Sequence, residues 1–133
     1  MKKFINILVS ILVLVAGFIG IFLVNFIGTI ILKSIFGSGI TPEGIPLTEN
    51  SRIVFLIILF VAGMVGAFII AVLIKQKPWI HLGIFCALGI LWDIIAIQGQ
   101  LAELPLWTKI IILVSIPVQI WIGGKIGIMI KRK

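Results

Sequence analysis

The chain has 133 residues, of which 62% are hydrophobic and 11% are charged, and its mean hydropathy is +1.38. Because a soluble domain carries about a quarter charged residues, this composition excludes a water-soluble catalytic domain. The formal net charge is +7, but the basic residues stand in small groups at the ends of apolar runs. That distribution excludes a nucleic-acid-binding surface.

Four apolar runs predict four transmembrane helices, at about residues 4–32, 53–74, 79–97 and 108–130. A helix needs about 20 apolar residues to cross a hydrocarbon core about 30 Å thick, and each run reaches or approaches that length. The runs take up most of the chain. The sequence therefore predicts a single all-α transmembrane domain, an antiparallel bundle of two hairpins.

The first run follows Met1, Lys2 and Lys3. It is about twice as long as the apolar core of a signal peptide, which has roughly 7–15 residues, and no A-x-A-like cleavage site follows it. We therefore expect an uncleaved first span that also directs insertion.

Residues 34–51 are the main predicted loop, because glycines and prolines interrupt any helix there. Thr48 or Asn50 is the expected cap of the second span. Pro78 suits the first turn of the third span. The connection before Pro78 is so short that the second and third spans are predicted to form a tight antiparallel hairpin.

The basic residues predict the orientation of the spans. With four spans, eight of them fall on one side and three on the other. The first group is Lys2, Lys3, Lys75, Lys77, Lys125, Lys131, Arg132 and Lys133, and the second is Lys33, Arg52 and Lys109. Because short cytoplasmic loops are enriched in Lys and Arg, both termini are expected in the cytoplasm and the 34–51 loop outside.

Small residues form narrow stripes on the second and fourth spans. Helices in lipid associate through such stripes because Gly and Ala let backbones approach closely. These stripes predict close packing inside the bundle or, alternatively, a face that seats the helix of a partner. Their members are Gly63, Gly66, Ala67 and Ala71 in the second span and Gly123 and Gly127 in the fourth.

Asp93 is the strongest candidate for a functional side chain, since a carboxylate inside a bilayer is costly and faces protein or water. It lies roughly 20 Å along the helix from Trp79, at a depth similar to that of Asn25. Arg52 and Lys109 begin spans on the same side. We expect a polar cluster of these four residues, acting as structural glue or as part of an ion or proton path. Exposure of Asp93 to headgroups is the third alternative.

Gln119 and Ser115 stand close to Pro117 near the middle of the fourth span. A proline inside a membrane helix frees a backbone carbonyl, and such kinks line cavities in some membrane proteins. The pair therefore predicts either a polar cavity or a kink with no further role.

The ends of the second and fourth spans are similar, which suggests an internal duplication. Residues 67–77 and 123–133 share small residues at matching positions and close on the pattern I-K-x-K. The similarity indicates two hairpins in parallel relation, as in some transporters, or a chance match between apolar helices.

Motifs for chemistry are absent from the sequence. It has no Ser/His/Asp set, no paired carboxylates in one span and no phosphate-binding loop, and one Cys and one His give no metal-ligand spacing. We expect neither enzymatic activity nor a cofactor.

The chain resembles small four-span bacterial inner-membrane proteins with no known activity. The resemblance rests on the small-residue second span (Ala62-Gly63-x-x-Gly66-Ala67), on Pro105-Leu106-Trp107 and on Pro117 with Gly123-Gly124. The leading expectation is a non-catalytic accessory or assembly subunit of a larger complex in the inner membrane. The alternative is a small homo-oligomeric transporter or channel that uses Asp93, Asn25 and Gln119. The expected partners are the lipid bilayer and other membrane subunits or further copies of the chain.

Overall fold

The computed structural model describes residues 1–75, 77–99 and 101–132. Four helices occupy most of this part of the chain: α1 (Lys2–Phe36), α2 (Glu49–Leu73), α3 (Pro78–Gln98) and α4 (Leu106–Arg132). All four are long and apolar enough to cross a membrane. The protein is an all-α, multi-pass membrane protein whose outer surface contacts lipid.

The helix ends follow local sequence signals. Of the two expected caps of α2, Thr48 takes the role: its hydroxyl accepts from Ser51 N, while Ser51 Oγ accepts from Thr48 N. Pro78 begins α3 after Lys77, whose φ is +52°. At 35 residues, α1 is about 52 Å long, so it tilts or projects beyond a core about 30 Å thick.

Contacts between helices establish their directions. Gly17 of α1 faces Ile70 of α2, and Gly28 faces Ile58, so these two helices are antiparallel. In contrast, Gln119 of α4 lies against Gly63 of α2. Gly127 follows against Ala71, so α2 and α4 run in parallel.

The short connection does not make α2 and α3 close neighbours. Although the two helices adjoin in the chain, α2 packs mainly against α4 and α1, and α3 packs mainly against α4. The second and third spans therefore form the predicted antiparallel hairpin with a short connection, but the prediction that they pack tightly is wrong. The reason is steric: Gly123 and Gly127 let α4 approach the backbone of α2, and close backbone approach drives association in lipid.

The bundle has two unlike ends. The loop end carries the connection from α1 to α2 and the turn before α4, and the terminal end carries the start of α1 and the end of α4. The apolar core fills the half nearer the terminal end, where Phe18 and Phe85 pack with ring centroids 4.8 Å apart. A side-chain contact nearer that end links Ser10 to His81. These contacts hold α1 and α3 together at one end only.

Candidate functional site

A cavity of about 670 Å³ lies between the four helices, in the half of the bundle nearer the loop end. All four helices and the loop between α1 and α2 contribute to its wall. Phe18 and Phe85 lie at its deep end, where they form part of the packed core. The polar and charged side chains of the wall are Asn25, Thr29, Glu43, Asp93 and Gln119.

The cavity exists because α1 and α3 meet at one end and separate toward the other. At the terminal end, the Ser10 hydroxyl lies 2.7 Å from His81 Nε2, and His81 Nδ1 donates to the carbonyl oxygen of Lys77 at 3.0 Å. Toward the loop end, Phe22 of α1 and Trp92 of α3 line the cavity, yet each is 71% exposed. The cavity therefore has a lateral opening between these two helices.

The loop between α1 and α2 folds back over the mouth of the cavity. Ile40 and Pro46 form an isolated antiparallel bridge and are both buried. Gly44 has a φ of +91°, and a Cβ added there would lie 3.0 Å from Thr29 Cγ2. This tight turn places Glu43 in the cavity wall.

Missing side chains supply much of the open space. Gly89 of α3 lines the cavity, and a Cβ built on it would have only Ile116 Cγ2 within 4 Å, at 3.8 Å. A larger residue at Gly89 would therefore extend into the cavity without meeting backbone. Gly83, nearer the start of the same helix, has nothing within 4 Å of its Cβ position and faces outward.

The expected four-residue polar cluster is only half assembled. Asp93 and Asn25 both line the cavity, but Arg52 and Lys109 do not. Lys109 Nζ instead donates to the carbonyl oxygen of Ala102 at 2.7 Å, and the Nε of Arg52 is buried with no hydrogen-bond partner. Within the described ranges, no hydrogen bond or ion pair joins Asp93 to any of the other three. The nearby turn before α4 offers the Lys109 ammonium a carbonyl oxygen within its reach, which explains the difference.

Gln119 lines the cavity and is 5% exposed, whereas Ser115 stands behind it. Gln119 Nε2 donates to Ser115 Oγ at 2.7 Å, and that hydroxyl donates to the carbonyl oxygen of Ile112 at 3.0 Å. Ser115 thus fixes the orientation of the amide, whose carbonyl oxygen accepts no hydrogen bond from the described residues.

The small-residue faces are occupied inside the chain. All six residues are buried: Gly63, Gly66, Ala67, Ala71, Gly123 and Gly127. A Cβ on Gly66 would lie 2.9 Å from the carbonyl oxygen of Gly17 in α1, and one on Gly127 would lie 2.7 Å from Ala71 Cβ. Because α1 and α4 already fill the face of α2, it has no room for a partner's helix.

Sequence reasoning missed Glu43 and Gly89. Glu43 lies in a segment that the sequence identifies only as a loop, and Gly89 lies in the third span, four residues before Asp93, where the sequence gives it no role in a site. The dense glycine and proline spacing of residues 37–46 was the available signal for a tight turn that folds back on the bundle.

Comparison with known proteins gives no family, relative or structural neighbour: no family model, no curated protein and no solved structure matches the chain. Among the residues with described positions, no three His, Cys, Asp or Glu side chains come together as a metal site requires. The function is therefore argued from the cavity itself.

Proposed function

We propose that this protein binds a small solute in the cavity between its four helices and carries it across the cytoplasmic membrane of a prokaryote. The observation that supports this most is a cavity of about 670 Å³ with an intramembrane carboxylate, Asp93, in its wall. Small-molecule sites have volumes of about 300–1,000 Å³ and combine apolar walls with a few polar groups. Ionisable residues inside membrane segments commonly mark substrate or ion pathways.

The depth of the cavity supports transport rather than surface binding. Its polar groups run from Glu43, in the loop, to Gln119, near the middle of α4. Beyond that depth, Phe18, Phe85 and the apolar core separate the cavity from the terminal end. A binding site near the midplane that is closed toward one membrane side is what alternating access requires of one of its two states.

The distribution of basic residues supports an orientation for this state. Eight basic residues at the terminal end against three at the loop end favour cytoplasmic termini. The cavity then faces the extracytoplasmic side. A second copy of the chain at the lateral opening between Phe22 and Trp92 would complete the wall, in keeping with a homo-oligomer.

Uptake by proteoliposomes that contain only this protein tests the proposal. The assay would cover a panel of radiolabelled inorganic ions, aliphatic amines, amino acids and carboxylates. Gly89→Phe fills the cavity and should abolish uptake, whereas Gly83→Phe adds the same side chain to the outer face of the same helix and should preserve it. Absence of uptake across the panel for the wild-type protein, or equal uptake by both variants, would contradict transport through this cavity.

A second candidate is the accessory or assembly subunit. It is favoured by the poorly covered surface of α3, in which only Leu82 and Phe85 are buried. The outer stripe of this helix, formed by Ile84, Leu88, Leu91 and Ile95, is exposed and suits either lipid or a partner's helix. Stoichiometric recovery of one larger membrane protein after mild-detergent purification, together with no uptake by the protein alone, would favour this role.

A further inference from the structure

We infer that the cavity binds an organic cation with an apolar body, an inference that rests on the proposed use of the cavity as a solute site. The inference comes from four features of the cavity: the charge of its wall, the absence of a hydrogen-bond or ion-pair partner for Asp93 within the described ranges, its aromatic side chains and its volume.

The charge of the wall is opposite to that of the protein. The chain has a formal net charge of +7 and only four acidic residues, yet two of the four, Glu43 and Asp93, line the cavity. Among the described residues that line it, none is Lys or Arg. At the loop end, Lys33 Nζ donates to the carbonyl oxygen of Pro42 at 2.7 Å. Electrostatic attraction inside the cavity therefore favours cations.

Asp93 is available to a ligand. No hydrogen bond or ion pair occupies its carboxylate within the described ranges. Of the two basic residues expected beside it, Lys109 donates to Ala102 and Arg52 does not line the cavity. A charge–charge interaction is several times stronger near protein than in bulk water, because the effective dielectric constant is lower. A cationic nitrogen at this carboxylate would supply the partner that the chain itself does not.

The remainder of the wall suits the apolar part of such a ligand. Five aromatic side chains line the cavity: Phe18, Phe22, Phe55, Phe85 and Trp92. Aromatic faces attract cations as well as apolar groups. Near the deep end, Gln119 is 5% exposed and its side-chain oxygen packs against Gly63 of α2, so this amide closes the wall between α2 and α4.

The dimensions of the site argue against a bare metal ion. A volume of about 670 Å³ is far larger than a coordination sphere. The described residues hold no group of three metal-ligating side chains, whereas Ca²⁺ takes at least about six oxygen ligands. An organic cation can fill the space and satisfy both the carboxylates and the aromatic walls.

The test uses three compounds that share one body and differ in charge: 4-phenylbutylamine, 4-phenylbutan-1-ol and 4-phenylbutyrate. Binding to the purified full chain is measured by isothermal titration calorimetry, with the Gly89→Phe variant as the baseline for partition into detergent. We expect the ammonium compound to bind at least tenfold more tightly than the alcohol, and the carboxylate to bind most weakly.

Variants that remove one negative charge test which carboxylate makes the cavity prefer the amine. Asp93→Asn should weaken binding of the amine at least tenfold and leave binding of the alcohol unchanged, and Glu43→Gln should weaken the amine by a smaller factor. Glu103→Gln is the matched control, because Glu103 is exposed and does not line the cavity, and it should change nothing. A thermal melt of each variant checks that the fold is retained.

The outcomes separate this inference from the proposed function. Equal binding of the amine and the alcohol to the wild-type protein, lost in Gly89→Phe, would overturn the cation preference while keeping the cavity as a solute site. Preference for the amine that persists in Asp93→Asn and Glu43→Gln would also overturn it. If none of the three compounds binds, the inference that the ligand is an organic cation with an apolar body is also overturned. The uptake panel would then test the transport role independently.

Discussion

Asp93 is the only Asp, Glu, Lys or Arg between the first and last residues of α3, and no hydrogen bond or ion pair within the described ranges involves its carboxylate. Moving a charged group out of water is costly unless it is paired or hydrogen-bonded. A chain selected for stability alone would therefore place an apolar residue there. On the proposed function, Asp93 exchanges stability of the fold for an interaction with the bound solute.

This exchange predicts the effect of Asp93→Leu. Were the carboxylate to hold Arg52 or Lys109 in place, its loss would cost about 1–3 kcal/mol. Since Lys109 bonds to Ala102 instead, we expect the melting temperature in detergent to stay the same or rise, while binding of 4-phenylbutylamine is lost. A clear fall in melting temperature would mean that Asp93 has a structural partner and would contradict the free carboxylate.

Gly66 governs the junction of three helices. A Cβ at this position would lie 2.9 Å from the Gly17 carbonyl oxygen of α1 and 2.9 Å from Phe85 Cζ of α3. Backbone cannot yield as a flexible side-chain tip does, so the missing side chain at Gly66 permits α1, α2 and α3 to meet. The aromatic contact between Phe18 and Phe85, at the deep end of the cavity, depends on the same approach.

At the scale of these elements, Gly66→Leu should separate the helices. Overpacking costs about 1–3 kcal/mol, and we expect a lower melting temperature in detergent. The control is Gly83→Leu, which introduces the same side chain where the Cβ position has open space. Leu has a higher helix propensity than Gly, so Gly83→Leu should melt at the wild-type temperature or slightly above. Equal melting of the two variants would show that the junction tolerates bulk.

The sequence predicts where each helix begins and ends better than it predicts which helices pack against each other. Length and hydropathy predict four helices, and capping chemistry finds Thr48 and Pro78, since these features depend on a few adjacent residues. Neighbour choice depends on which small-residue faces fit one another. The small-residue stripes can be read from the sequence, but the short connection suggested that α2 packs against α3. In the structure the glycines of α4 make α4, and not α3, the main neighbour of α2.

The parallel packing of α2 and α4 also bears on the suggested duplication. The similar segments 67–77 and 123–133 are offset by 56 positions, and the contacts of Gln119 with Gly63 and of Gly127 with Ala71 have that same offset. Lys131 Nζ donates to the carbonyl oxygen of Ile74 at the same end of the two helices, but this pair is one position out of that register. Matching residues meet face to face, as they would across a two-fold axis between repeated hairpins. Gln76 and Lys133, at the ends of the two segments, lie outside the described residues.

At the scale of the whole molecule, the sequence offered a polar cavity beside Gln119 as one alternative, but the extent of the cavity and its place in the bundle could not be predicted. It arises because contacts such as Ser10 with His81 hold α1 and α3 together at one end, while their other ends separate under a loop that folds back at Gly44. These are long-range relations between residues that lie far apart in the chain. Sequence reasoning grouped Asp93 with Asn25 by their similar depth and named Gln119 with them in the transporter alternative. Depth alone had no means of showing that the three line one wall.

The orientation of the whole molecule decides which compartment the cavity serves, and cysteine labelling can determine it. In a Cys86→Ala background, Ser38→Cys lies in the loop and Lys75→Cys follows α2, and both native side chains are exposed. Lys75→Cys still leaves seven basic residues at the terminal end, so the bias that sets the topology remains. We expect a membrane-impermeant maleimide to label Ser38→Cys in intact cells and to reach Lys75→Cys only after the membrane is opened. The reverse pattern would place the cavity mouth on the cytoplasmic side and would contradict the proposed orientation.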